Sequence, residues 1–366
     1  MAAGSLSPQF KPCTYDDLPG WRQDDHAAAF QAFRRSARRY LEKPWKTGSL
    51  NVRLDAFEAA FAAARTMADP DAAAARAFFE RHFTPAHISP AEGNKGLVTG
   101  FYEPVVAASP VRTERHTVPL LRPPSDLVEV DDATRPTGLD ASYAWARDTG
   151  QGLVEYFDRS EIESGALEGQ GLEIAWLESR VDAFFIHVQG AARLVMPDGA
   201  QKRVTFAAKS GQPFVGVGRI LVARGEIPLE EISMQTIRAW LAANPGRADE
   251  LLWQNRSYIF FREAPVADPD LGPVAAAKVP LTPGRSVAVD RFLHTFATPF
   301  FIHAPDLMRF GGKPFARLMI AQDTGTAIVG AARGDLFAGS GDEAGEIAGP
   351  IRNEADFFAL LPNALI

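Results

Sequence analysis

The chain has a single cysteine, Cys13, so no disulfide can form within it and cysteine usage leaves the redox compartment open. No run of about eighteen apolar residues occurs, and the sequence therefore predicts no membrane-spanning helix. Long basic runs are also missing, and 38 Lys and Arg against 45 Asp and Glu leave a net charge of -7, which argues against a nucleic-acid backbone as partner. The cluster Arg34, Arg35, Arg38 and Arg39 reads as a solvated helix face. The seven histidines are scattered, with no His-Glu-x-x-His and no companion cysteine, so neither a metal nor a cofactor is expected. There is no Gly-x-Ser-x-Gly elbow and no phosphate-cradling glycine loop, and Gly216 and Gly218 read as a turn. Met1 to Ser5 lacks the charged and apolar regions of a secretory signal, which leaves a cytoplasmic chain or one whose export segment lies outside this sequence.

What is present describes a folded protein of more than one domain. A length of 366 residues exceeds the size at which one core stops growing, and 46% hydrophobic with 23% charged residues is ordinary for a globular chain. Two domains with a groove between them are expected. The first ninety residues predict helices over Ala27 to Tyr40, Leu54 to Met67 and Ala72 to Phe83, with Asp24, Asn51 and Asp69 or Asp71 as caps. From Lys95 the texture turns to strand, beginning with Gly96 to Pro104 and continuing at Val118 to Leu121, Phe184 to Val188, Ala192 to Met196 and Arg203 to Phe206. Frequent Pro and Gly in these pieces favour a small barrel over a parallel sheet. Ser233 caps a helix that Pro245 stops and that carries Trp240 on its apolar face, a second helix covers Ala248 to Gln254, and Tyr258 to Phe261 is a strand. Ala264 to Lys278 reads as a linker, and the remainder as mostly β.

Polar chemistry concentrates in the last ninety residues, where Asp290, Asp323 and Asp335 follow or interrupt apolar runs. A carboxylate beside a buried strand is unfavourable unless paired or hydrogen-bonded, so three of them point to a prepared polar site or to turn-closing residues. Asp-Thr-Gly occurs at Asp148 and again at Asp323, the pattern of an aspartic peptidase, whose two carboxylates share one proton. The first copy fits poorly, because Ala146-Arg147 precedes it where two apolar strand residues are needed.

Six motifs occur in a telling order: Thr99-Gly100-Phe101-Tyr102-Glu103-Pro104, Val188-Gln189-Gly190, Ser233 to Arg238, Gln254 to Phe261, Asp323 to Gly330 and Gly339 to Ala344. In these the chain, from about Lys95 to Leu361, resembles the membrane-bound lytic murein transglycosylase A family. The resemblance implies a mainly β fold with helices: a double-psi β-barrel formed by 1–103 and 265–366, a smaller barrel-like domain inserted over 104–264, and a glycan groove between them. It implies an exolytic glycan lyase that cuts the β-1,4 bond between N-acetylmuramic acid and N-acetylglucosamine to leave a 1,6-anhydro end. Asp335 matches the catalytic acid and base, with Asp323 in support. Thr99, Gly100, Phe101, Tyr102, Gln189, Gly190, Ser286 and Asp290 are the substrate-binding candidates, Phe101 standing where Tyr is common. Glycan strands are the implied partner, along with wall-synthesis enzymes, in the periplasm, with outer-membrane association through a segment absent here. A non-catalytic glycan-binding barrel is the alternative from a different class.

Overall fold

In the computed structural model residues 5–90, 95–140 and 143–366 are described. The chain is mainly β with helices and divides into two compact units, Met1–Tyr102 with Asp268–Ile366, and Glu103–Ala267.

The first unit is built on eight strands: β1 (Phe10–Pro12), β2 (Phe83–Ile88), β3 (Gly96–Glu103, whose last residue belongs to the other unit), β4 (Ser286–Val289), β5 (Pro299–Ala304), β6 (Phe315–Asp323), β7 (Arg333–Ser340) and β8 (Arg352–Pro362). They pair in the order β1-β2-β8-β5-β6-β4-β7-β3, and β3 pairs with β8 as well. β4 and β6 run parallel, whereas β4–β7, β5–β6, β5–β8 and β3–β8 are antiparallel. The helices His26–Arg39, Glu58–Thr66 and Ala72–His82 lie between β1 and β2 in sequence and bury Phe30, Phe33, Phe61 and Phe79 in one core with Phe57, Phe300, Phe301, Leu318 and Ile320. Burying a Phe side chain is worth about 1.5–3 kcal/mol, so this aromatic cluster fastens the helices to the sheet.

Of the caps read in the sequence, Asp71 holds, whereas Asp24 gives way to Asp25. Asp25 and Asp71 cap their helices by accepting from Ala28 N at 3.1 Å and Ala74 N at 2.8 Å. Asp24 is buried instead, where it pairs with Arg285 at 2.9 Å and accepts from Leu318 N at 2.7 Å, which ties the helical segment to β6 and to the entry of β4. Asn51 adopts φ 65° ahead of a 3-10 turn, Leu54–Phe57, that opens the second helix. The arginine cluster is not uniformly solvated either. Arg34 is buried against Asp69, and Arg35 donates to Thr282 Oγ1 at 2.9 Å.

Deep in this core lies a polar side chain, Gln322, with no exposed surface. Its Nε2 donates to Ala32 O and Ser36 Oγ, both at 2.8 Å, and its Oε1 accepts from Ser286 Oγ. One side chain thereby joins the first helix, β4 and β6.

The second unit places its strands in separate sheets instead of the single small barrel expected from the sequence. Four strands pair in the order Ile259–Ala264, Gln201–Lys209, Ala191–Val195, Val105–Ala107, and the others form a two-stranded and a three-stranded sheet. Phe184 to Val188, read as strand, lies in the helix Arg180–Gln189. Ser179 caps that helix, accepting from Asp182 N at 3.1 Å, and Phe184, Phe185 and Ile186 are all buried, so the continuous apolar run carries no period that separates strand from helix. Gly216 likewise precedes a helix, Val217–Ala223, where a turn was read. Ser233 caps Met234–Ala243 as expected, and Trp240 is buried on it.

Replacing Gln322 by Leu removes three hydrogen bonds while leaving Ser36 and Ser286 in the core, and should cost about 2–4 kcal/mol. Urea denaturation of the variant checks this; a change below about 0.5 kcal/mol would mean that the buried network contributes nothing net.

Candidate active site

The parallel pairing of β4 and β6 is irregular: Val287 pairs with Ala321, but Ala288 pairs with Asp323, so Gln322 is the extra residue of a bulge. Across the other edge of β4, Ala288 pairs with Asp335 of β7. The two carboxylate residues therefore flank one alanine in register. Residues paired directly across strands share a face, and two strand spacings set their Cα atoms about 10 Å apart. Without the bulge Ala288 would face Gln322.

Asp335 keeps part of its surface accessible, yet the protein atoms crowded around it push its pKa up from 3.8 through loss of solvation. The Thr99 hydroxyl, which donates to Asp335 Oδ1, and the charge of Arg333 work in the opposite direction. Arg333 reaches the same place from two residues earlier on β7. Its Nη2 donates to Thr99 Oγ1 at 2.8 Å, and its Nη1 donates to the Gly334 carbonyl. Burial disfavours the guanidinium charge, and Asp335 favours it.

Asp323 is pushed up to about 6, first by burial and further by the charge of Asp335. Backbone N–H groups of Thr324 and Ala276, the latter at 3.1 Å, and the charge of Lys278 oppose this rise. The Ala276 donor comes from the stretch that reads as linker in the sequence. That stretch is held to β6 by Ala277 N donating to Gln322 O at 3.0 Å, and turns at Lys278 with φ 61°. A non-glycine residue in that conformation is uncommon and carries strain that the surrounding hydrogen bonds hold in place.

The remaining sequence candidates divide by location. Phe101 is half-buried beside Phe337, ring centroids 5.2 Å apart, on the same faces of β3 and β7 as Thr99 and Asp335. Gly100 is required by packing, since a Cβ there would lie 2.8 Å from Ala348 O and from Ile351 Cδ1. Tyr102 is buried against Gly345, where a Cβ would come within 3.0 Å of its ring. Ser286 is wholly buried, donating to Gln322 and accepting from Thr282 N at 2.7 Å. Asp290 is buried too, and its carboxylate accepts from Phe292 N and Gly330 N, both at 3.0 Å, which fastens the loop after Asp323 to the end of β4. Gln189 and Gly190 belong to the second unit, where Gly190 ends a helix with φ 76°. Asp148, also in that unit, is exposed and accepts from Gly150 N at 2.8 Å, a turn-closing role unlike that of a buried proton-sharing carboxyl.

Sequence reasoning missed Arg333 and the Ala276 to Lys278 turn. Arg333 was recoverable, because an arginine two residues before an aspartate on a strand shares its face. The turn had no local signal. Among the described residues, no group of three His, Cys, Asp or Glu side chains is arranged to hold a metal ion.

A carboxyl whose folded pKa is raised contributes stability that is fully present below its unfolded value, near 3.8, and lost as pH rises through its folded value, about 6 for Asp323. Asp323→Asn, which keeps an oxygen for the Ala276 N–H, should match wild type near pH 4 and exceed it by about 1–3 kcal/mol at pH 7. Thermal melts across that window test this. A stability difference independent of pH would contradict the shift.

Residues 97–262 match the family model described as the MltA specific insert domain, and 285–361 match the 3D domain. The crystal structure of a membrane-bound lytic murein transglycosylase from Agrobacterium tumefaciens is 50% identical, with a TM-score of 0.91, covering 97% of this chain and 98% of that one. The Vibrio cholerae membrane-bound lytic murein transglycosylase A is 36% identical over 197 residues, 52% of each chain, so the match spans about half the length of that curated relative. A crystal structure of the Escherichia coli protein with bound chitohexaose is 25% identical, with a TM-score of 0.67, covering 98% of this chain and 94% of that one. With half its residues identical to the Agrobacterium structure over nearly the whole of both chains, this chain belongs to the membrane-bound lytic murein transglycosylase A family.

Proposed function

We propose that this chain cleaves peptidoglycan glycan strands as a lytic transglycosylase, with Asp335 as the one group that gives and then takes a proton. The observation that carries the reading is the Asp335 carboxyl itself: partly accessible, crowded enough that its neutral form is favoured, and hydrogen-bonded through one oxygen to Thr99. Family membership supports the substrate, as does the chitohexaose bound in the Escherichia coli relative, a chain of β-1,4-linked N-acetylhexosamines.

Glycosidases that use water need two carboxyl groups, one to protonate the leaving oxygen and one to act as nucleophile or base. Here the neutral Asp335 donates its proton to the oxygen that leaves C1 of N-acetylmuramic acid. The C1–O4 bond breaks and the same sugar's 6-hydroxyl oxygen bonds to C1. Asp335, now a carboxylate, removes the 6-hydroxyl proton and regains its starting state. The nucleophile is already attached to the reacting sugar, so proximity comes from the substrate. Asp323, on the far side of Ala288, supports the site through its charge. The half-buried Phe101 ring beside Phe337 suits the apolar face of a sugar next to the acid. Gly100, Tyr102, Ser286 and Asp290 fit a framework role for the sugar site, given their packing and burial. Gln189 and Gly190 remain candidates for glycan contact from the second unit.

We further propose a double-psi arrangement for the first unit, supported by the parallel β4–β6 pair and by the β3–β8 pairing. The periplasm, with outer-membrane association, is the proposed location, supported by the membrane-bound relatives. No helix among the described residues is long and apolar enough to cross a membrane.

Purified murein sacculi incubated with wild type should release muropeptides ending in 1,6-anhydro-N-acetylmuramic acid, seen by mass spectrometry. Asp335→Asn should fold and lose this release by on the order of 10³-fold. Reducing-end products would indicate hydrolysis, and binding to sacculi without any soluble product would indicate a glycan-binding module.

A further inference from the structure

We propose that Arg333 is a positioning residue which, through the Thr99 hydroxyl, reserves Oδ2 of Asp335 for the proton that moves in both halves of the reaction. The proposal rests on the lytic transglycosylase reading and assigns a direction to its proton.

The argument is one of donor and acceptor count. A guanidinium has only N–H donors, so where Arg333 Nη2 meets Thr99 Oγ1 at 2.8 Å the threonine oxygen must accept. Thr99 has one hydroxyl proton, and it is thereby turned toward its other polar neighbour, Asp335 Oδ1. Oδ1 is then an acceptor whether the carboxyl is neutral or charged, since a proton on Oδ1 would face the threonine proton. Oδ2 has no hydrogen-bond partner among the described residues and is the oxygen left to carry the transferable proton. The guanidinium is held at a second point by the Gly334 carbonyl, which fixes the fork and with it the hydroxyl rotor.

The relay also decides whether one carboxyl can do both tasks. Burial alone raises the pKa of Asp335 and so weakens it as the acid of the first step. A hydrogen bond to a carboxylate is stronger than one to its neutral form, so Thr99, ordered by Arg333, favours the charged state between the two proton transfers. Thr99 thus serves the acid directly, beside any contact it makes with sugar.

The test compares full-length wild type, Arg333→Met, Thr99→Val, Thr99→Ser and the Arg333→Met/Thr99→Val double variant on soluble glycan strands. Release of anhydro ends is followed against pH, and circular dichroism reports folding. Arg333→Met is expected to lower kcat on the order of tenfold or more at nearly unchanged KM. Its alkaline limb should move to higher pH, because the contacts that lower the acid's pKa are lost. Thr99→Val should shift the limb in the same direction, Thr99→Ser should recover most of the profile, and the double variant should be no worse than the poorer single variant. A wild-type pH profile in folded Arg333→Met, a rise in KM alone, or multiplicative effects in the double variant would overturn the proposal. Should Arg333→Met fail to fold, an unshifted limb in Thr99→Val would overturn it equally. Wild type yielding only reducing ends would instead sink the transglycosylase reading, independently of any limb displacement.

Discussion

The bulge at Gln322 is the constraint on which the site depends. A parallel strand pair in regular register would set Ala288 of β4 against Gln322, sending Asp323 one step away and onto the opposite face. Gln322 occupies the extra position because its amide has a full set of partners inside the core: Ala32 and Ser36 on the first helix and Ser286 at the start of β4. An apolar residue could fill the space but would leave those groups unpaired in a region closed to water. The helix His26–Arg39 is therefore part of the site's support. The Asp24–Arg285 pair fastens the same helical segment one residue before Ser286.

This support explains why the three C-terminal aspartates, alike in sequence, differ in chemistry. Asp290 accepts from two backbone N–H groups and closes a loop. Asp323 also faces two backbone N–H groups, and loss of solvation together with the charge of Asp335 pushes it up to about 6. Asp335 alone is met by a side-chain hydroxyl on one oxygen and by no donor on the other. Composition and spacing treat all three as an aspartate after an apolar run, so the distinction had to come from tertiary contacts.

Legibility followed the same line. Helices with separated apolar faces and capping residues, such as Met234–Ala243 behind Ser233, could be read locally. The helix Arg180–Gln189 could not, because its apolar run faces two cores at once and shows neither a period of two nor of 3.6. Asp25 in place of Asp24 as cap turns on the partner of Asp24, Arg285, which lies 261 residues away in sequence. Asp323 and Asp335 were singled out through the ordered motifs, whereas the donor to Asp323 from Ala276 was hidden in a stretch of Pro, Ala and Asp that has every mark of a linker.

The two carboxyls flank one alanine, and the charge of Asp335 adds to the burial that raises Asp323. What separates their roles is the kind of partner each has. The N–H groups of Ala276 and Thr324 are fixed donors that favour the charged form of Asp323 against the burial that raises its pKa to about 6. The Thr99 hydroxyl is a rotor held by Arg333, and it leaves the second oxygen of Asp335 open. The proposed mechanism, in which the substrate brings its own nucleophile, needs one carboxyl that changes state twice per turnover. Among the described residues Asp335 keeps one oxygen with no donor directed at it, which is the oxygen that the proposed reaction requires.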